Sequence, residues 1–154
     1  MTPDRLRAAG IADPDAVAVA FAPVAEWLAS VPPDALLYGL AATGDPAYAL
    51  IALARLRAVD ARPPAAARVA ALVQVCGSCP ALANALIAAG SGWRGWFDDV
   101  AAVERRTVAG HVALLRQAGA VGPVPRAALQ ALLRRHHRRE LVRVGGRDLL
   151  GLAT

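Results

Sequence analysis

Three groups of residues are candidates for catalysis or binding. Cys76-Gly77-Ser78-Cys79 is a Cys-x-x-Cys, which serves either as a dithiol redox pair or as half of a zinc site. Gly90-Ser91, followed by Asp98-Asp99, imitates the Gly-Ser turn and paired carboxylates that hold phosphates and Mg²⁺ in nucleotidyl transfer. Arg134, Arg135, Arg138, Arg139, Arg143 and Arg147 crowd the last part of the chain, where they could neutralise phosphates.

Each group meets a geometric test. Redox work needs a strand-to-helix entry, and structural zinc needs two further ligands. The remaining candidates, His111, His136 and His137, lack the spacing of a second zinc half. Small buried thiols at a helix junction are therefore expected, with no metal or cofactor held by this chain. Adjacent residues on a strand point to opposite faces, so Asp98-Asp99 cannot replace an Asp-x-Asp. A solvated loop anchored by Trp93 and Trp96 is expected there, and no catalytic residue is assigned. No aromatic residue interleaves the arginines, and Asp148 and the leucines after it interrupt the basic surface. Solvated arginines or contacts to a neighbouring domain or protein partner, through Arg143, Arg147 and Asp148, are favoured over nucleic acid.

The helices that carry these residues are marked off by Pro and Gly. Asp13-Pro14 and Asp45-Pro46 each read as an N-cap followed by proline at the first helical position, where a missing N–H costs nothing. The helices they open run through residues 16–31, with a kink at Pro23, and through 47–59. Pro32-Pro33-Asp34 starts a short helix that Gly44 can end. Others follow Pro63-Pro64 and Pro80, the latter ending at Gly90. A further helix covers about Val108 to Gln117, and Pro125 opens the longest. Strand alternation is absent. The expected fold is all-α, a helical bundle or array of helix pairs ending in a long basic helix, in one domain over residues 1–154.

On that last helix Leu133, His137, Leu141, Val144 and Asp148 form a stripe about 80° wide at 100° per residue, and arginines cover most of the remaining circumference. Beyond Val142 the far end wants burial on more than one side. Gly145 and Gly146 inside a helix cost roughly 2 kcal/mol relative to alanine. Either the helix breaks there or another helix packs very close.

Composition agrees with a helical domain. The chain has 154 residues, of which 56% are hydrophobic, enough to bury roughly two-thirds of its unfolded surface. All 17 basic residues are Arg, and the formal net charge of +5 resides in the segment after Val124. The uncharged stretch from Val69 to Trp93 is interrupted by Gly77, Ser78 and Pro80, which argues against a membrane span. No apolar leader opens the chain and two cysteines make no disulfide framework, so a reducing cytoplasm is expected.

Three stretches carry a family resemblance. "RRELVRVGGRDLLGLA" resembles the segment of glutamine synthetase adenylyltransferases in which an Arg-rich helix runs into an Arg-Ile-Ala-Ala-Arg-Asp-Leu-x-Gly pattern, matched by Arg143, Arg147, Asp148, Leu149 and Gly151. "GDPAYALIALARL" and "LVQVCGSCPALANAL" are similar, in the same order, to two of that family's preceding helices. Gly145-Gly146 departs from the family's small helix-forming pair, and Cys76 and Cys79 replace aliphatic and small polar residues.

The resemblance implies a non-catalytic N-terminal portion of a bacterial bifunctional enzyme that moves AMP onto and off glutamine synthetase in response to nitrogen status. Its nucleotidyltransferase domain, with Mg²⁺ and ATP, would lie downstream of Thr154. Glutamine synthetase and a PII-type signalling protein are the implied partners. Leu149, Leu150 and Leu152 would then await helices beyond the chain, and the last turns should fray after Gly145 or Gly146. The alternatives are a small all-α interaction module, binding nucleic acid through its basic helix, and a metal or redox role for the Cys-x-x-Cys.

Overall fold

The computed structural model describes residues 1–102 and 106–152. Among them are α-helices and short 3₁₀ turns, with no strand. The helices are α1 (Pro3–Ala8), α2 (Pro14–Phe21), α3 (Pro33–Ala41), α4 (Pro46–Val59), α5 (Ala66–Ser78), α6 (Pro80–Ala88), α7 (Trp93–Asp98), α8 (Val108–Gln117) and α9 (Arg126–Leu149). The all-α expectation holds. No single helix among the described residues is long and apolar enough to cross a membrane, and α5 and α6 meet at a bend of 115°.

Local chemistry accounts for most of the helix starts. The Asp13 carboxylate accepts from Ala16 N–H at 3.0 Å and that of Asp45 from Tyr48 N–H at 2.8 Å, each with proline at the next position. These satisfy donors that an uncapped first turn would leave unpaired. Thr107 caps α8 in the same way, accepting from Gly110 N–H at 3.2 Å.

Helices α4 and α5 form the centre, with α2 against α4 and α3 against α5. Leu50, Leu53 and Leu56 of α4 and Val69, Leu72 and Val73 of α5 are fully buried. The chain can pack this closely because two glycines sit at crossings. A Cβ on Gly39 would stand 2.8 Å from Ala70 O, and one on Gly77 would stand 2.7 Å from Asp45 O. Trp27 closes one end, its indole N–H shared between the carbonyls of Ala61 (3.0 Å) and Arg62 (2.8 Å).

Several boundaries correct the expectations. The helix foreseen over 16–31 ends at Phe21, and Ala22–Val24 is a 3₁₀ turn. Pro23 terminates the helix rather than kinking it, because proline supplies no N–H and crowds the preceding turn. The helix begun by Pro33 stops at Ala41, ahead of Gly44. The segment expected to be a loop at 91–100 is largely helical: Gly90–Gly92 and Asp99–Ala101 are 3₁₀ turns on either side of α7. Trp93, Trp96 and Phe97 are buried there, so the two tryptophans do anchor it, but as core residues of a helix.

Helix α9 is continuous through Gly145 and Gly146 to Leu149, and close packing rather than a break is the outcome. Leu149 and Leu150 pack against the core of this chain, and the Gln74 side-chain amide donates to Leu149 O at 3.0 Å. Both leucines remain only partly buried, and Leu152 is exposed.

Candidate functional site

The last helix lies with α6, α7 and the Asp99–Ala101 turn on one side, and the side it presents to them is its arginine side. Val142 and Gly146 are buried. A Cβ on Gly146 would meet Val100 Cγ2 at 2.9 Å, and one on Gly145 would meet Leu82 Cδ1 at 3.1 Å. The absence of side chains there lets the backbone approach. The helix therefore tolerates residues of poor propensity where tertiary contact compensates.

Around this contact the arginines are held by carboxylates. Asp99 accepts from Arg139 Nε at 2.6 Å and lies 2.7 Å from Arg106 Nη2. Arg106 also pairs with Glu140, which accepts from Arg143 Nε at 2.9 Å. The result is one chain, Arg139–Asp99–Arg106–Glu140–Arg143, of three cations and two anions. Burial by itself would raise both carboxyls. The hydrogen bonds and charges of the arginines outweigh it and hold Asp99 and Glu140 below the usual carboxylate range. Arg147 donates to the carbonyls of Ala102, after the 3₁₀ turn, and of Leu152, beyond the end of the helix. Arg143 and Arg147 thus have intramolecular partners, and Asp148 is exposed.

The stripe identified in the sequence faces away from the core. Leu133, Leu141 and Val144 are 46%, 47% and 55% exposed. Leu141 and Val144 line a groove of about 590 Å³ with Leu82, Cys79, His137 and Leu149, and Asp148 and Glu140 stand at its polar edge. The basic half of the helix differs again: Arg126, Arg134, Arg135 and Arg138 are exposed, and the Arg135 guanidinium lies 6.0 Å from the centre of the Trp96 ring.

Cys76 and Cys79 are free thiols, the first buried and the second half-buried. Cys79 is at once the end of α5 and the start of α6, the helix junction expected. Burial pushes the Cys76 thiol up to about 12, which suits a packing residue and not a nucleophile. Asp98 and Asp99 lie on α7 and the 3₁₀ turn after it. Their side chains are spent on Arg68 at 3.8 Å and on the arginine network.

Two groups were missed from the sequence. Asp60 is buried and bonded by Arg62 and Arg94, which fixes the loop between α4 and α5. His111, His136 and Glu140 bring one ligand atom each to within 4.8 Å of one another. The spacing of His136 and Glu140 places them one turn apart on one face, a signal the sequence did contain. The arrival of His111 from α8 left no such trace.

No family model, curated protein or solved structure matches this chain.

Proposed function

We propose that this chain is a non-catalytic helical docking segment whose outward α9 face seats a larger nucleotidyltransferase, as the resemblance to glutamine synthetase adenylyltransferases implies. The observation that carries this reading is the row Leu133, Leu141 and Val144, exposed on a helix whose opposite side is packed. Contiguous exposed apolar side chains are features of protein contact surfaces, and Leu141 and Val144 share a groove. The polar edge at Asp148 and Glu140 gives the surface an orientation. The catalytic carboxylates, Mg²⁺ and ATP belong to the partner domain, and glutamine synthetase and a PII-type protein to the assembled cytoplasmic enzyme.

The test supplies the nucleotidyltransferase portion of such an enzyme as a separate polypeptide. It should bind the chain and slow amide exchange over residues 137–149, and Leu141→Glu with Val144→Glu should abolish both effects. The chain by itself should neither adenylylate glutamine synthetase nor remove AMP from it. Failure to bind, or metal-dependent AMP release by the chain above a buffer blank, overturns the proposal.

A further inference from the structure

Helix α8 has no fully buried residue and lies against α9. At their contact the His111 and His136 rings meet edge to face, with centroids 5.2 Å apart and planes at 87°. His111 Nδ1 and His136 Nε2 are 3.0 Å apart. Glu140, one turn beyond His136, brings a carboxylate oxygen to the same place. All three side chains are half-buried.

We propose that His111, His136 and Glu140 bind one divalent transition-metal ion of the zinc class, which clips α8 onto α9.

Tetrahedral zinc, with bonds of about 2.0 to 2.2 Å, holds adjacent ligand atoms about 3.3 Å apart. The imidazole pair is already close to that separation. Two ring nitrogens facing each other at hydrogen-bond distance need one proton between them; when the ring that holds it carries it on its other nitrogen instead, both facing lone pairs are open to a divalent cation.

The arginines on Glu140 act in two directions. They orient the carboxylate, as outer partners of metal ligands commonly do, and their charge opposes a cation. A hard ion such as Mg²⁺ or Ca²⁺, which seeks oxygen donors, gains too little here to offset that repulsion, whereas an ion with strong affinity for imidazole does. A fourth position remains for water or an anion. His136 also lines a cleft of about 310 Å³ with Trp96, Leu114, Arg135 and Arg139, whose cationic wall favours an anionic fourth ligand. His111 and His136 do not line the docking groove, whose edge the site shares only at Glu140.

The full chain, stripped of metal, is titrated with Co²⁺. One equivalent should give the visible absorption of a tetrahedral site, displaced by Zn²⁺ and not by Mg²⁺. His111→Ala and His136→Ala should each weaken binding by about 100-fold or more, since even outer-shell changes cost 10- to 100-fold. His137→Ala and Cys79→Ser should leave it unchanged. His111 sits on a helix without core residues, so His111→Ala retains the fold, as unchanged helical circular dichroism should verify. Zinc should also slow amide exchange in α8 of the unmodified chain and not of His111→Ala. No saturable cobalt spectrum, binding that survives His111→Ala, or binding lost in Cys79→Ser would each overturn the assignment.

Discussion

Gly146 and Val100 are so close that a Cβ built on the glycine would stand 2.9 Å from Val100 Cγ2, while its neighbour Gly145 faces the Leu82 methyl groups at 3.1 and 3.3 Å. Alanine at either position gains about 1 kcal/mol of helix propensity. Val100 is buried and β-branched, so it cannot turn aside, and overpacking costs about 1 to 3 kcal/mol. Gly146→Ala should therefore lose up to about 2 kcal/mol. Leu82 is flexible at its end, so Gly145→Ala should be neutral or up to about 1 kcal/mol more stable. Denaturant midpoints of the two variants should move in different directions.

Burial holds the Cys76 thiol up to about 12, against an ordinary value of 9.0. Its contribution to stability is full below the unfolded value and is lost as pH rises from there towards the folded one. The slope is about 1.4 kcal/mol per pH unit for one proton. The stability difference between the unmodified chain and Cys76→Ala should narrow at that rate above about pH 9 and stay constant below it. In the native protein at neutral pH, a thiol reagent should modify Cys79 and leave Cys76 intact.

Asp60 works in the opposite sense. Its hydrogen bond with Arg62, then that with Arg94, holds the carboxyl well below the usual range despite burial. The stability it contributes is present above the unfolded value near 3.9 and is lost as pH falls through that value towards the folded one. Asp60→Asn should thus be less stable than the unmodified chain at neutral pH, with the gap closing in acid. An equal gap at pH 7 and pH 3 would show that packing, not charge, is what Asp60 supplies.

The outward face of α9 should be thermodynamically silent in the chain alone. Leu141→Glu and Val144→Glu replace side chains that are about half exposed, so each should change stability by no more than about 0.5 kcal/mol. A loss above about 2 kcal/mol in thermal or denaturant melts would mean that the face is already packed.

Only Arg126, Arg134, Arg135 and Arg138 of α9 are exposed, since Arg139 and Arg143 are in ion pairs. With four phosphate contacts at most, log affinity for duplex DNA should fall with log salt at a slope no steeper than about −3.6. At physiological salt the affinity should be no tighter than the non-specific range of about 10⁻⁴ to 10⁻⁶ M. Tighter, steeper binding lost on neutralising those arginines would favour a nucleic-acid role.

The features legible in the order of residues are local ones. Asp13-Pro14 and Asp45-Pro46 announce helix starts because a cap and its proline act on the adjacent turn, and the lack of strand alternation foretells an all-α chain. The burial of Trp93 and Trp96 and the thiols at a helix junction were legible for similar reasons, although the helicity between the tryptophans was not. Which side of α9 faces the core depends on long-range packing. Counting apolar residues favours the stripe of Leu133, Leu141 and Val144, yet the packed side holds Val142, Gly146, Arg139 and Arg143. A glycine contributes to packing through backbone approach, which depends on a surface such as Val100 arriving from elsewhere. An arginine becomes buriable only when a carboxylate meets it, as Asp99 meets Arg139 from 40 residues away. The same holds for His136 and Glu140: their shared face is written in their spacing, but their meeting with His111 depends on how α8 folds back.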